Sequence, residues 1–369
     1  MSEVTPQALI RPQIRALNAY HVPSAQGLLK LDAMENPYTW PGELADQWQA
    51  CLRGAELNRY PDPTAQHLKS RLREVLDLEL TTEKTDPGLL LGNGSDELIL
   101  LLALAVLGPG RVVLAPEPSF VMYRMIAAFA GLEFIGVPLR ADDFALDEEA
   151  MLAAIEQHHP ALVFIAYPNN PTGNLFSVAS IERIITSTPG LVVVDEAYAP
   201  FTDASFLHRL DQFGNLLVMR TLSKMGLAGL RLGYLVGAPQ WLREIEKLRL
   251  PYNINTLTQL SVEFALRHFA VLQHQAQQLR MQREQLAQRL ATLPGVTVYP
   301  SEANFILVQL PPGAADHVHC AVLDRGVLIK NLNPNGGLLR DCLRITVGTP
   351  EQNERLYDSM CWGLRTTLD

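Results

Sequence analysis

Leu216-Leu217-Val218-Met219-Arg220-Thr221-Leu222-Ser223-Lys224-Met225-Gly226-Leu227-Ala228-Gly229-Leu230-Arg231 reads as a buried strand that opens into a loop carrying chemistry. The run Leu216–Met219 is wholly apolar, the texture of a strand covered on both faces of a parallel sheet. Lysine is almost never fully buried without a partner, so Lys224 directly after such a strand is a poor packing residue. Ser223 supplies a hydroxyl, the stretch beyond it is rich in Gly and Ala, and Arg231 follows seven residues on. That combination suits an amine that holds a phosphate-bearing cofactor covalently. The plainer alternative is a surface Lys and Arg beside a flexible turn.

Working outward, Leu89–Leu91, Val112–Ala115, Phe134–Val137, Leu162–Ala166, Val192–Asp195 and Gly233–Val236 share the strand texture. Helical patterns at 96–106, 120–130, 147–157 and 178–186 lie between them. The alternation predicts an α/β domain with a mostly parallel, seven-stranded sheet flanked by helices. Residues 1–35 read as an irregular N-terminal arm, since Pro12, Pro23 and Pro37 interrupt any long periodic element. From 255 to 293 there is no Gly or Pro, and Leu257, Leu260, Phe264, Leu279, Leu286 and Leu290 fall at helical spacings. This predicts one long helix, capped by Asn255 or Thr256. Beyond it, strands at 296–299, 305–309, 327–329 and 343–347 and a helix at 314–324 predict a smaller α+β domain. The expected division is an arm at 1–35, a large cofactor-binding domain at 36–252 and a small C-terminal domain at 253–369.

The chain of 369 residues carries a net charge of −9, which disfavours nonspecific binding to nucleic acid. Cys51, Cys320, Cys342 and Cys361 share no CxxC spacing, so free thiols in a reducing cytoplasm are expected. His317-Val318-His319-Cys320 alternates as an amphipathic segment does, and no metal site is expected. No signal peptide and no membrane-spanning run is read from the sequence.

Four clusters sit at the ends of predicted strands, where open α/β sheets bind ligands. Gly92-Asn93-Gly94-Ser95-Asp96-Glu97 precedes a helix whose first N–H groups suit an anion; Asp96 and Glu97 read equally well as plain first-turn acids. Tyr167-Pro168-Asn169-Asn170-Pro171-Thr172-Gly173 is a constrained loop able to aim an Asn side chain. Asp195-Glu196-Ala197-Tyr198 places a carboxylate at the end of a buried strand, where it needs a partner such as a protonated ring nitrogen. Tyr198 follows three residues later, as a donor to the same ring, and the alternative for Asp195 is a loop cap. Ser223, Lys224 and Arg231 complete the set. A Schiff-base lysine, a carboxylate for a pyridine nitrogen, donors to a ring oxygen and a phosphate cradle are together what pyridoxal 5'-phosphate requires.

The chain resembles the fold-type I pyridoxal-phosphate aminotransferases, and within them the histidinol-phosphate aminotransferase branch. The motifs that carry the resemblance run from Leu31-Asp32-Ala33-Met34-Glu35-Asn36-Pro37-Tyr38 and Asn58-Arg59-Tyr60-Pro61-Asp62 through Gly94-Ser95-Asp96-Glu97, Asn169-Asn170-Pro171-Thr172-Gly173, Asp195-Glu196-Ala197-Tyr198 and Thr221-Leu222-Ser223-Lys224. They end with Ala303-Asn304-Phe305 and Cys342-Leu343-Arg344-Ile345-Thr346-Val347-Gly348. By this resemblance Lys224 bonds the cofactor and shuttles a proton, and Asp195 holds the ring nitrogen. Asn170 and Tyr198 bind the ring hydroxyl, and Phe120 stacks on the ring. Gly94 and Ser95, through backbone N–H groups, hold the phosphate with Ser223 and Arg231. Tyr60 reaches the cofactor of a second subunit, which implies a homodimer. Arg344 clamps a substrate carboxylate or phosphate, and Tyr20 and Asn36 line the substrate pocket. The implied reaction passes an amino group from glutamate to imidazole-acetol phosphate, giving histidinol phosphate; an aromatic amino-acid aminotransferase or a phosphothreonine decarboxylase of the same fold are alternatives. The chain departs from many relatives at Lys330, where they carry an arginine. A lysine binds phosphate as a point charge but lacks the bidentate fork.

Overall fold

The buried strands pair into a single seven-stranded sheet, in a computed structural model that describes residues 4–19, 22–78 and 86–368. In chain order the main elements begin with β1 (Leu29–Leu31), α1 (Gly42–Leu52), α2 (Gln66–Val75), β2 (Gly88–Asn93), α3 (Ser95–Ala105), β3 (Val112–Glu117), α4 (Met122–Ala130) and β4 (Glu133–Pro138). There follow α5 (Glu148–His158), β5 (Leu162–Ala166), α6 (Val178–Ser187), β6 (Leu191–Asp195), β7 (Leu216–Thr221), β8 (Leu232–Gly237) and α7 (Pro239–Glu246). The remainder is α8 (Thr256–Arg267), α9 (Phe269–Leu290), β9 (Thr297–Val298), β10 (Phe305–Gln309), α10 (Ala315–Asp324), β11 (Val327–Asn331), β12 (Cys342–Thr346) and α11 (Pro350–Leu368).

The large sheet has the order β2-β8-β7-β6-β5-β3-β4, with β8 antiparallel to both neighbours and the contiguous set β3–β7 parallel. Successive side chains on a strand point to opposite faces, and the two faces feed two cores. Val163, Ile165, Val192, Val194 and Val218 pack with Met151 and Ile155 of α5, Ile181 and Ile184 of α6, and Val262 of α8. Their neighbours Phe164, Val193, Leu217 and Met219 pack on the other face with Leu98 and Ile99 of α3, Tyr123 and Ile126 of α4, and Leu242 of α7. Asp147, Ser177 and Asn255 cap α5, α6 and α8 through side-chain oxygens that accept from backbone N–H groups.

Two sequence expectations need correction. The arm is not irregular throughout. Leu29–Leu31 pairs in parallel with Val327–Ile329, adding β1 to a five-stranded sheet of order β1-β11-β12-β10-β9. Leu31 is buried among Val327, Ile329, Ile345 and Val347, and prolines at 12, 23 and 37 leave this apolar stretch free to pair. Single helical turns at Pro6–Leu9 and Pro12–Arg15 precede it. The long helix from 255 is two helices that meet at His268 (φ −111°, ψ 29°). Val262, Ala265 and Leu266 of α8 and Leu272 near the start of α9 pack with the large sheet, and Leu279, Leu286 and Leu290 further along α9 with the small one.

Candidate active site

The carboxyl ends of β5, β6 and β7 converge on one cavity, and each delivers polar residues to it. β6 ends at Asp195, which is 4% exposed. Tyr123 Oη donates to its Oδ2 at 2.7 Å and the Ala197 N–H to its Oδ1 at 3.1 Å. Among the described residues no cation forms a salt bridge with it. Burial pushes its carboxyl up to about 6, against the pull of the Tyr123 hydrogen bond. Tyr123 is itself buried, stacked on Phe164 of β5 at 4.6 Å and 3° between planes, and burial raises its phenol well above the ordinary value.

Lys224 sits in the turn Ser223–Met225 just past β7. Its Nζ donates to Ala33 O at 3.3 Å and lies 5.8 Å from the Tyr198 ring centroid. Burial, reinforced by the Arg344 guanidinium, lowers its amine to about 8. An amine so placed is partly neutral near neutrality, as a nucleophile must be. Tyr198 packs edge-on to Phe305 at 5.1 Å, and burial raises its phenol.

The anion end is shaped by two glycines. Gly94 (φ +82°) precedes α3, and a Cβ there would lie 2.5 Å from Arg231 Nη2. Gly233 of β8 passes beneath the start of α3, and a Cβ there would lie 2.7 Å from Ser95 N. The N–H groups of a helix's first turn have no intrahelical partner, so Ser95 and Asp96 present theirs here. Gly94 contributes space and not a donor, because its own N–H is bonded to Gly92 O at 2.9 Å. Arg231 Nη1 reaches Ser223 Oγ at 3.5 Å and Nη2 reaches Asp96 Oδ2 at 3.3 Å. Glu97 turns away and caps Asn93 N at 2.6 Å.

The loop after β5 divides its two asparagines. Asn169 anchors it through Pro118 O (3.0 Å), Thr172 Oγ1 (2.7 Å) and Ser119 Oγ (2.9 Å). Asn170 faces the cavity, and its Oδ1 accepts from Arg344 Nη1 at 2.5 Å. Arg344 Nη2 also donates to Asp32 O at 2.9 Å. Met34 sits in the left-handed region (φ 54°), held by Thr346 Oγ1 at its N–H and Asn304 Nδ2 at its carbonyl. Both bonds tie the N-terminal segment to the small sheet over the cavity.

Ser95, Asp96, Phe120, Asn170, Asp195, Tyr198, Ser223, Lys224, Arg231 and Met34 line a pocket of about 100 Å³. Through the shared residues Met34, Phe120 and Asn170 it meets a cleft of about 580 Å³ that carries Lys330 and Arg344. A third cavity, of about 950 Å³, lies on the far side of the same strand ends, lined by Glu196, Arg220, Asp203 and Arg280. Its charges pair with one another, Arg220 with Glu196 at 2.7 Å and Arg280 with Asp203 at 2.9 Å.

Pyridoxal phosphate fits the first pocket on the structure's own terms. A buried carboxylate has only neutral donors, an amine has a lowered proton affinity, and two missing Cβ atoms open a helix start beside an arginine. Of the remaining expected residues, Lys330 stands opposite Arg344 across the β11–β12 ladder. Asn36 is not a lining residue: its Nδ2 donates to Met225 O (3.3 Å) and Gln275 Oε1 (3.0 Å), and its Oδ1 accepts from Tyr38 N (2.9 Å). Those bonds brace the Lys224 turn from behind. Tyr60 is 80% exposed and stacks on Tyr252 at 4.4 Å, outside this chain's own pocket. Tyr20 lies outside the described residues. Sequence reasoning missed Tyr123, Met34 and Gly233. The spacing Phe120-x-x-Tyr123 and a glycine inside a buried strand were the available signals.

The chain is similar to known proteins over nearly its whole length. The profile of the family Aminotransferase class I and II matches residues 27–360. A Nitrosococcus oceani protein named histidinol-phosphate aminotransferase 2 is 58% identical over 351 residues, covering 95% of this chain and 96% of that protein. A Cupriavidus pinatubonensis protein of the same name is 52% identical over 99% of this chain and 100% of that protein. The structure of histidinol-phosphate aminotransferase from Sinorhizobium meliloti, in complex with pyridoxal-5'-phosphate, superposes with a TM-score of 0.84 at 22% identity, covering 98% of each chain.

Proposed function

The chain belongs to the family Aminotransferase class I and II, and from that premise we propose that it moves an amino group from glutamate to imidazole-acetol phosphate, giving L-histidinol phosphate and 2-oxoglutarate. The names of its full-length relatives support the reaction. The observation in the structure that supports a phosphorylated substrate is the cross-strand pair Lys330–Arg344. Like charges directly opposite on a sheet repel, and both side chains line the 580 Å³ cleft. An anion between them offsets that repulsion, and a phosphate carries enough charge to match both.

Bound pyridoxal phosphate supplies an aldehyde and an electron-accepting ring. The chain's own residues do the rest. Asp195 holds a proton at the ring nitrogen, which keeps the ring electron-poor. Tyr198 and Asn170 bind the ring oxygen, and Phe120 covers one ring face and excludes water. The helix start at Ser95, with Ser223 and Arg231, anchors the phosphate. Lys224, neutral in part at its lowered proton affinity, takes the proton from the substrate carbon and returns it. Arg344 binds the substrate's anionic end while it orients Asn170.

The same proposal includes the division into a cofactor-holding domain and a smaller domain, and a homodimer in the cytoplasm. Tyr60, Tyr252, Leu57 and Leu250 are exposed near the loop that carries Tyr60, an apolar group of the kind an interface buries. The four cysteines are free, which suits a reducing compartment. The test is to add amino donors one at a time to the purified holoenzyme and follow its visible absorbance. Histidinol phosphate and glutamate should each discharge the band. Rapid reaction with phenylalanine and none with histidinol phosphate would overturn the substrate assignment.

A further inference from the structure

We propose that Tyr123 is a positioning residue for the reaction, one that sets the proton affinity of Asp195 and, through it, of the cofactor's ring nitrogen. The inference rests on the cofactor assignment above. Tyr123 never lines the substrate cleft with a free hydroxyl, because its Oη is 2.7 Å from Asp195 Oδ2. The phenol is locked in place. Its ring is stacked on Phe164 at 4.6 Å, and Phe120 meets its edge at 5.6 Å and 86°. Phe120 precedes it by three residues, so the loop that leads into α4 and the first turn of α4 supply the ring that faces the cofactor and the donor that fixes the carboxylate behind it.

The chemistry of the donor matters as much as its position. A phenol is neutral and, with its proton affinity raised by burial, stays protonated across the working pH range. It therefore lowers the energy of the Asp195 anion without cancelling its charge. A cationic partner would pair Asp195 and weaken its hold on a protonated ring nitrogen. No partner would leave the carboxylate to protonate in its buried site. The remaining donor, Ala197 N–H, is backbone and sits on the other oxygen at 3.1 Å. Tyr123 is thus the side chain that fixes which oxygen of Asp195 is left to face the pocket.

Tyr123→Phe removes only the hydroxyl and keeps the stack on Phe164. We expect the apoprotein to bind pyridoxal phosphate roughly tenfold more weakly, the size of a lost hydrogen bond to a charged group. We also expect the pH at which the holoenzyme's visible absorbance titrates to move, and kcat to fall with little change in KM. In an Asp195→Ala background the same substitution should change cofactor affinity by less than about twofold, since two residues acting through one contact are not additive. Equal cofactor affinity and an unmoved titration in folded Tyr123→Phe would overturn the role of Tyr123. So would an undiminished effect in the Asp195→Ala background, which would mark it as plain packing. If Tyr123→Phe does not fold, the coupling is read from the cofactor affinity of Tyr123→His, whose ring N–H can donate to Asp195. Affinity within about threefold of wild type supports the proposal, and a loss as large as that of Asp195→Ala overturns it. A wild-type apoprotein that binds no pyridoxal phosphate at all would instead sink the cofactor assignment, a distinguishable outcome.

Discussion

Asp195 and Glu196 are neighbours at the end of one strand, both buried, and they are treated in opposite ways. Glu196 accepts from Arg220 Nε and Nη2 at 2.9 and 2.7 Å, from Ser205 Oγ at 3.0 Å and from the Phe206 N–H. Both oxygens have partners and the charge is matched. Asp195, one residue back and on the other side of the strand, has one phenol and one backbone N–H and no matching cation among the described residues. A carboxylate meant to hold the fold is paired with a cation. One meant to hold a ligand is left with charge to give. Lys224 follows the second pattern, and Arg280 with Asp203 the first.

Four substitutions break or sharpen this contrast. Lys224→Ala removes the amine placed to move the proton, and kcat should fall by at least about 10³-fold in steady-state assays, within the range for a lost acid–base group and above. Glu196→Gln leaves Arg220 buried beside a neutral amide. Breaking a buried pair costs on the order of 3–5 kcal/mol, so the urea midpoint should drop sharply while the cofactor-binding residues remain intact. Asp195→Asn should do the reverse in apoprotein. The wild-type carboxyl is raised from 3.8 to about 6, so between those pH values the folded chain keeps a proton that the unfolded chain has lost. Wild-type stability therefore falls as pH rises through that window. The variant escapes the loss and should be more stable by about 3 kcal/mol above pH 6, with no difference near pH 4. Denaturant curves at pH 4 and 7 measure it, and a variant less stable at pH 7 would show that Asp195 is structural after all. Lys330→Met has the smallest effect. It should raise KM for the phosphorylated substrate about tenfold and stabilise the ligand-free chain by a few tenths of a kcal/mol, since it relieves a cross-strand repulsion.

One pH experiment tests the same contrast from the amine side. Lys224 has its proton affinity lowered to about 8, and only the neutral amine attacks an aldehyde. Reductive alkylation of the apoprotein at Lys224, followed by mass spectrometry, should rise with pH and reach half its plateau near 8.

What was legible in the sequence was what continuous apolar runs and strand ends reveal. All seven strands of the large sheet were placed from Val, Ile and Leu runs, and Asn170, Asp195 and Lys224 were found because each follows such a run. What was not legible depends on contacts far apart in the chain. Leu29–Leu31 is a strand only because Val327–Ile329 offers it an edge. The break at His268 has no Gly or Pro to announce it, and beyond it α9 passes from the core of the large sheet at Leu272 to that of the small one from Ala276 on. Asn36 looked like a ligand-binding side chain until Gln275, from α9, was seen to occupy its amide. Tyr123 sits inside an apolar helix, where a tyrosine reads as core until its hydroxyl is seen against Asp195.

The pairing of β1 with β11 has a consequence for synthesis. Met34, which hangs over the pocket, is tied to Thr346, 312 residues downstream. At about 5–20 residues per second, the segment that closes the site leaves the ribosome roughly 15–60 seconds before the strand that receives it. The large sheet can form in that interval from contacts made entirely within residues 88–237. The N-terminal segment meanwhile has no edge to pair with, so the pocket floor is built first and its cover is fastened last. The order of synthesis thus allows a stage in which the Lys224 amine stands assembled under an open roof.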